Sequence, residues 1–267
     1  RAIWIPPDIL EMLDESTVEL NTIVAQLEVE ASGYLGTLVE RLSVAGLSAR
    51  SVVRRGPAAE AILDYAVQTN VDQIVMATHG YSGIKHWTHG SVAERVLQAA
   101  RAPLLLVRAS EQNQAADWRQ PLQCRRILVP LDGSPVAEQI LPIVTRLAKS
   151  FRAEVTLFQV PIVYVSGWMT GEWYLPIQGV LETAEEDTEA YLSAAAGRLD
   201  RQGVEVTTST AIGSVANCIV EYAEVNNVDL IAMCTHGRTA LARWALGSVA
   251  DRVLRAGGRP ILLVRAQ

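Results

Sequence analysis

The second half of the chain alternates between short apolar runs and longer segments whose apolar residues recur every three or four positions. Short runs bounded by Gly, Pro or Asp predict buried strands, and the longer spacing predicts helices. The predicted strands cover residues 125–133, 153–161, 204–213, 228–237 and 260–266. The predicted helices cover residues 134–151, 182–201, 214–227 and 248–256, with Pro142 as an irregularity inside the first. This alternation predicts an α/β fold with an open parallel sheet covered by helices on both faces.

The chain also contains an internal repeat. When the sequence is shifted by 157 positions, residues 34–109 align with 191–266 without a gap, and 22 of 39 positions are identical between 71–109 and 228–266. A period of this length indicates two similar domains rather than a solenoid of short units. We predict a first domain at 1–109, a polar linker at 110–124 and a second domain at 125–267.

The first half lacks a counterpart of the opening part of the second half. Nothing before Tyr34 matches residues 125–161, and residues 1–8 instead resemble the irregular Trp- and Pro-containing segment near 173–176. One strand–helix–strand unit is therefore expected to be missing from the first domain. Because a gap would interrupt the hydrogen-bond ladder of a sheet, we expect either a fragment of a longer chain or a partner chain that supplies the strands.

Composition narrows the classes of partner. The net charge of −6 argues against a nucleic-acid-binding surface, since such surfaces are basic. No apolar run approaches the roughly 20 residues that cross a bilayer, so no membrane partner is expected. The three scattered cysteines do not suggest a disulfide framework, and we therefore expect a cytoplasmic location.

Each half carries a similar loop between a predicted strand and a predicted helix. The first copy is "MATHGYSGIKHWTHGSV", which begins at Met76, and the second is "MCTHGRTALARWALGSV", which begins at Met233. The Gly-Ser pair opens a helix, where unpaired N–H groups and the positive helix end can bind an anion. The alternative interpretation is that Ser91 and Ser248 cap their helices and that the glycines only form turns.

Asp132 ends the first predicted strand of the second half, in "PLDGSP". In a parallel sheet this residue and the glycine loop lie at the same carboxyl edge, where an acidic side chain can accept hydrogen bonds from ribose hydroxyls. The alternative interpretation is a turn that the Asp132 side chain stabilises by itself.

Both halves resemble the universal stress protein family. The resemblance rests on "ILVPLDGS", "VDLIAMCTHGRTALARWALGSV" and "PILLVRA" in the second half, and on "VDQIVMATHGYSGIKHWTHGSV" and "PLLLVRA" in the first. It implies tandem domains, each with a five-stranded parallel sheet in the order 3-2-1-4-5. Some members of the family bind ATP through a pattern of Gly, two residues, Gly, nine residues, Gly, and Ser or Thr. In this chain Ala77 and Cys234 replace the first Gly of that pattern.

The resemblance further implies a site for ATP or ADP, alone or with Mg²⁺, mainly in the second domain. Asp132 would meet the ribose or adenine, the backbone of Val160 would contact adenine, and Met233 would lie beside the base. The complete implied set is Pro130, Leu131, Asp132, Val160, Met233, Cys234, Gly237, Gly247, Ser248 and Val249. A possible second site in the first domain comprises Met76, Ala77, Gly80, Gly90, Ser91 and Val92.

The expected function is that of an adenine-nucleotide-binding protein with a regulatory or stress-response role. Two alternatives stay open, namely an interaction module of the same family without nucleotide, and a slow ATP hydrolase. No catalytic residue is predicted, because neither a Walker loop nor a nucleophile elbow occurs. No metal site is expected. The first copy of the loop contains three histidines, His79, His86 and His89, but the second copy keeps only the counterpart of His79, which is His236.

The resemblance also bears on assembly. It implies that the last strands of the two domains, "PLLLVRA" and "PILLVRA", pair within one chain and form a pseudo-dimer. As edge strands they would otherwise expose an apolar, unpaired edge. A homodimer of the whole chain is a further possibility.

Overall fold

The computed structural model describes residues 2–3, 17–77, 91–108, 123–161, 177–236 and 246–265. The chain divides into two compact units. The smaller unit comprises Arg1–Val71, His89–Ala99 and Ser110–Pro121, and the larger unit comprises Asp72–Thr88, Ala100–Ala109 and Leu122–Gln267. These units do not follow the boundaries of the repeat, which remain a sequence-based prediction of the domains.

A seven-stranded sheet forms the centre of the larger unit. Its strands are β3 (Ile74–Ala77), β4 (Leu104–Val107), β5 (Arg126–Pro130), β6 (Glu154–Gln159), β7 (Val206–Thr210), β8 (Leu230–Cys234) and β9 (Ile261–Val264). They lie in the order β3-β4-β9-β8-β5-β6-β7. Numbered within the second half alone, β5 to β9 have the order 3-2-1-4-5. All neighbouring strands are parallel except β4 and β9, so the predicted α/β class with a mainly parallel sheet is confirmed.

The antiparallel pair β4–β9 joins the last strands of the two repeats. Leu104, Leu105 and Leu106 lie opposite Leu263, Leu262 and Ile261. The side chains of Leu104, Leu106 and all three β9 partners are buried. This is the strand pairing that the family resemblance implied, and it explains why residues from both halves belong to one compact unit.

Four helices of the second half cover the sheet. They are α4 (Leu141–Phe151), α5 (Ile177–Asp200), α6 (Val215–Val225) and α7 (Ser248–Ala256). Helices α4 and α5 share one apolar cluster with alternate residues of the strands, in which Leu199 of α5 lies with Val129 of β5 and Leu157 of β6. On the other side of β6, Phe158 meets Tyr222 of α6 with ring centroids 5.0 Å apart, and α6 packs against α7. The predicted helices on both faces are therefore confirmed.

Pro142 marks the one clear departure inside a predicted helix of the second half. Residues Ala137–Ile140 form a 3₁₀ turn, and α4 begins only at Leu141, so that Pro142 lies in its first turn. A proline is tolerated there because the first N–H groups of a helix have no partner within the helix. The predicted single helix at 134–151 is thus a turn followed by a shorter helix.

The smaller unit contains most of the remaining described elements. They are β1 (Ala2–Ile3), β2 (Arg54–Arg55), α1 (Thr17–Val44), α2 (Ala58–Gln68) and α3 (Ser91–Ala99). Ala2–Ile3 pairs in parallel with Arg54–Arg55, although the sequence analysis placed residues 1–8 in an irregular segment. The strand was missed because its partner lies about fifty residues away and the pairing involves only two residues. Helix α2 packs against α3, where Arg95 Nη1 lies 3.2 Å from Glu60 Oε1.

No helix in the described parts of the chain is both long enough and apolar enough to cross a membrane.

Candidate functional site

The carboxyl ends of β5, β6 and β8 lie side by side at one edge of the sheet. Asp132 follows β5, Val160 follows β6, and Cys234 ends β8. The N–H of Leu131 donates to the carbonyl of Phe158 over 2.8 Å, which ties the tips of β5 and β6 together. The strand order reverses between β5 and β8, which is where open α/β sheets commonly bind their ligands. The structure therefore brings together three segments of the predicted set.

The Asp132 side chain stabilises the turn that follows β5. Its Oδ1 accepts hydrogen bonds from the backbone N–H of Ser134 at 2.9 Å and from Ser134 Oγ at 2.6 Å. Gly133 adopts a φ of 81°, which favours glycine. The turn that the sequence offered as an alternative explanation for Asp132 is thus present. Asp132 is only partly buried, so its carboxylate is accessible to a ligand at the carboxyl edge while it stabilises the turn.

Gly247 closes the loop that leaves β8. Its N–H donates to the carbonyl of Thr235 over 2.8 Å, and the N–H of Thr235 donates to the carbonyl of Val264 in β9 over 2.9 Å. A Cβ at position 247 would lie 2.6 Å from the Thr235 oxygen, so the close approach of the two backbones requires glycine. Gly237, the other predicted glycine of this loop, lies outside the described residues.

Helix α7 begins directly after Gly247. Gly247 is itself the N-cap and Ser248 is the first helical residue, so the alternative interpretation of Ser248 as the helix cap does not hold. Ser248 is exposed and Val249 is half-buried. A glycine N-cap has no side chain that could occupy the first N–H groups of the helix, which keeps the positive helix end accessible to an anion.

On the β8 side of the site Cys234 is buried and His236 is partly buried. Cys234 Sγ donates to the carbonyl of Ala137 over 3.6 Å, and burial raises the pKa of the Cys234 thiol to about 11. The thiol is therefore protonated at neutral pH and is a poor nucleophile. His236 Nδ1 lies 3.0 Å from Thr235 Oγ1, while its Nε2 is buried and without a hydrogen-bond partner in the described structure.

Sequence reasoning missed two polar side chains near this edge. Gln159 immediately precedes Val160, is 7% exposed, and has a buried Oε1 without a hydrogen-bond partner. Tyr191 Oη on α5 is also buried, with the Glu138 carboxylate as a polar neighbour. Burial, followed by the charge of Glu138, raises the pKa of Tyr191, so the phenol is neutral. A buried polar atom without a partner costs about 1–3 kcal/mol, and such atoms commonly mark places for a ligand or water. The available signal was the polar Gln159 directly after the apolar pair Leu157 and Phe158.

The possible second site differs in its surroundings. Met76 and Ala77 belong to β3, where Met76 is half-buried and Ala77 is exposed, whereas Met233 and Cys234 are both buried. No described strand lies beside β3 in the way that β5 lies beside β8, so no counterpart of Asp132 is placed there. Ser91 and Val92 begin α3 in the smaller unit. Gly80 and Gly90 lie outside the described residues.

These observations define a doubly wound α/β protein whose candidate site lies at the carboxyl edge of the sheet, where the strand order reverses. The model of the "Universal stress protein family" matches residues 4–108 and 123–265. The chain therefore belongs to the universal stress protein family.

Individual relatives agree with this assignment. Universal stress protein MJ0531 of Methanocaldococcus jannaschii is 35% identical over 145 residues, which cover 53% of this chain and 82% of the relative. Universal stress protein Slr1230 of Synechocystis sp. is 24% identical over 258 residues, covering 96% of this chain and 79% of the relative. The crystal structure of a universal stress protein from Archaeoglobus fulgidus is similar in fold, with a TM-score of 0.70, 20% identity and coverage of 95% of this chain and 84% of that one.

Proposed function

We propose that the second half of this protein binds an adenine nucleotide, ATP or ADP, and that binding serves a regulatory or stress-response role. One observation carries the proposal: the carboxyl ends of β5, β6 and β8 meet at one edge of the sheet, beside the start of α7. The N-cap of α7 is Gly247, where the close approach of the Thr235 carbonyl leaves no room for a side chain. This arrangement offers a carboxylate for a sugar and backbone N–H groups for phosphates.

The proposal assigns roles to six of the predicted residues. The Asp132 carboxylate accepts from the ribose, and the backbone of Val160 contacts adenine beside Met233. The N–H groups of Ser248 and Val249 at the start of α7 bind phosphate oxygens, with Gly237 as a further member of the loop. The described residues contain no group of three or more His, Cys, Asp or Glu side chains that could hold a metal ion. In the proposal any Mg²⁺ is therefore bound mainly through the nucleotide phosphates.

The replacement of the first motif glycine by Cys234 is compatible with this role. The Cys234 side chain is 5% exposed, and its Sγ contacts the carbonyl of Ala137 beneath the sheet edge. Because the side chain points into the core, it does not occupy the outer side of the edge where a nucleotide would lie. The buried Nε2 of His236 and Oε1 of Gln159 supply further polar atoms that still need partners.

Isothermal titration of the full chain with ATP and with ADP, each with and without Mg²⁺, tests the proposal. We expect saturable binding at one site, and an Asp132→Asn variant should bind about tenfold more weakly, since hydrogen bonds to a charged acceptor are the stronger ones. Asp229 provides a matched control at the opposite end of the strands, where Oδ2 accepts from the N–H groups of Arg125 at 2.7 Å and Arg126 at 3.0 Å. Asp229→Asn should lower stability but leave the ATP affinity unchanged.

The titration also decides between the alternatives. Absence of binding heat, together with no change in melting temperature on adding ATP, would instead assign the chain to interaction modules that work without nucleotide. The replacement of the first motif glycine by Ala77 and Cys234 is the observation that favours this second candidate. Binding followed by phosphate release would identify a slow hydrolase, which a phosphate assay over several hours detects.

A further inference from the structure

Ser134 is the centre of the hydrogen bonds that hold the turn after β5. Its Oγ donates to Asp132 Oδ1 over 2.6 Å and accepts the backbone N–H of Ala137 over 3.1 Å. The N–H of Ser134 donates to the same carboxylate oxygen over 2.9 Å. Ser134 is 9% exposed, so water competes little for these bonds. One buried hydroxyl therefore connects the Asp132 carboxylate with the 3₁₀ turn that begins at Ala137.

The segment around Ser134 is attached to the neighbouring strands at both of its ends. At the β6 side, the N–H of Leu131 donates to the carbonyl of Phe158 over 2.8 Å. At the β8 side, Cys234 Sγ donates to the carbonyl of Ala137 over 3.6 Å, and both of these residues are buried. The backbone on either side of Ser134 is thus fixed to the sheet, which gives the hydroxyl a fixed position from which to bind the carboxylate.

Position 134 requires a group that donates and accepts at the same time. The Asp132 carboxylate only accepts hydrogen bonds, whereas the N–H of Ala137 only donates. A hydroxyl can bond to both, and serine supplies it on the shortest side chain. Alanine would remove both bonds while leaving the backbone N–H of residue 134 in place. Ser134→Ala is therefore a specific test of the hydroxyl.

The hydroxyl restricts the orientation of the Asp132 carboxylate. The outer torsion of an aspartate side chain is broad, so a carboxylate without such bonds samples many orientations. Two donors on Oδ1 select one of them. A carboxylate has acceptor positions for about four hydrogen bonds, so it can hold the turn and accept from a ligand together. Because orienting a side chain in advance lowers the entropy cost of binding, this arrangement favours ligands that donate to Asp132.

We propose that Ser134 is a positioning residue of the nucleotide site, whose hydroxyl holds the Asp132 carboxylate in the orientation that accepts from ribose hydroxyls. The inference rests on the proposed function and adds to it a residue that does not itself contact the nucleotide. If Ser134 served the fold alone, its loss would weaken the binding of every nucleotide by the same factor. A positioning role instead predicts a loss confined to ligands that carry the ribose hydroxyls.

Titration of the full chain with ATP and with 2′,3′-dideoxy-ATP, which lacks both ribose hydroxyls, tests this role. We expect the wild type to bind ATP about tenfold more tightly than the dideoxy compound, since hydrogen bonds to a charged acceptor are the stronger ones. Ser134→Ala should bind ATP about three- to tenfold more weakly and the dideoxy compound nearly as before. In an Asp132→Ala background the preference should be absent, and Ser134→Ala should add no further effect.

Thr145→Val is the matched control. Thr145 of α4 is 6% exposed, and its Oγ1 donates to the carbonyl of Leu141 over 2.9 Å. The variant removes another buried hydroxyl and should lower stability, as Ser134→Ala does, but leave the preference for ATP unchanged. If Ser134→Ala does not fold, Ser134→Cys replaces the hydroxyl by a weak donor of similar size. Assayed under reducing conditions, it should also show a smaller preference for ATP.

The outcomes separate this inference from the proposed function. If the wild type binds no ATP, both are overturned. If the wild type binds ATP and the dideoxy compound equally, nucleotide binding stands but the positioning role is overturned, because Asp132 then accepts nothing from the ribose. The role is also overturned if Ser134→Ala or Ser134→Cys keeps the wild-type preference, or if the Ser134→Ala effect persists in the Asp132→Ala background.

Discussion

Gly247→Ala is the substitution for which the structure makes the sharpest prediction. The new Cβ would lie 2.6 Å from the carbonyl oxygen of Thr235, whereas ordinary contacts begin at about 3.4 Å. The oxygen also accepts the N–H of Gly247 over 2.8 Å, and Thr235 is in turn bound to Val264 in β9. Neither backbone can retreat without weakening one of these hydrogen bonds. The backbone angles of Gly247, a φ of −59° and a ψ of 145°, suit alanine, so the cost arises from the contact alone.

We expect Gly247→Ala to lower the free energy of unfolding by about 1–3 kcal/mol, the usual effect of forcing an extra methyl group into a packed site together with a weakened hydrogen bond. The ATP affinity should fall as well, because the start of α7 moves with residue 247. Urea unfolding followed by circular dichroism measures the first effect, and isothermal titration at a temperature where both proteins are folded measures the second.

Gly258→Ala is the control, since a Cβ at position 258 meets no atom within 4 Å. Its free energy of unfolding should stay within about 0.5 kcal/mol of the wild type. If Gly247→Ala matched the wild type in both stability and ATP affinity, the close approach of residues 235 and 247 would not constrain the loop, and the reasoning would be refuted.

Two further predictions concern buried side chains of the second half. Burial raises the pKa of Cys234 from an ordinary value of 9.0 to about 11, so its contribution to stability is full below pH 9 and is lost as the pH rises through 11. The shift corresponds to about 2–3 kcal/mol, and Cys234→Ala should therefore lose less stability than the wild type between pH 8 and pH 11 in urea titrations. Equal losses in the two proteins would contradict this assignment. Phe158 is 1% exposed and packs against the tilted ring of Tyr222, so Phe158→Ala should lower the free energy of unfolding by about 3–5 kcal/mol, and a loss below about 1 kcal/mol would show that the site collapses around the substitution.

The sequence predicted the order of the elements in the second half well, because apolar periodicity directly reflects which side chains become buried. Helix α7 occupies Ser248–Ala256 as predicted, since its apolar positions and preceding glycine are local signals. The predicted strand at 228–237 is shorter and comprises Leu230–Cys234, with one further hydrogen bond from the N–H of Thr235 to Val264. The short strand Ala2–Ile3 was missed because it exists only through pairing with a distant segment.

The candidate site was predictable only in part. The residue types around Asp132 and Gly247 were recognisable from the family pattern, but the burial of Gln159 Oε1 without a hydrogen-bond partner and the burial of Tyr191 Oη were not. Nothing in a linear sequence shows whether a polar side chain finds a hydrogen-bond partner, because the partner depends on packing between elements that are far apart in the chain. The same reason explains why the sequence left open whether Ser248 caps α7, a position that Gly247 in fact occupies.

By itself, the sequence determined that this chain contains two related α/β halves of the universal stress protein type, because repeats, periodicity and motif spacing are local properties. Only the tertiary structure decided that Gly247 closely approaches Thr235 at the edge where Asp132 was expected, and that β3 and β8, similar in sequence, differ in burial. The physical reason is that parallel pairing collects the ends of distant strands at one edge, while burial depends on the neighbour that each strand acquires.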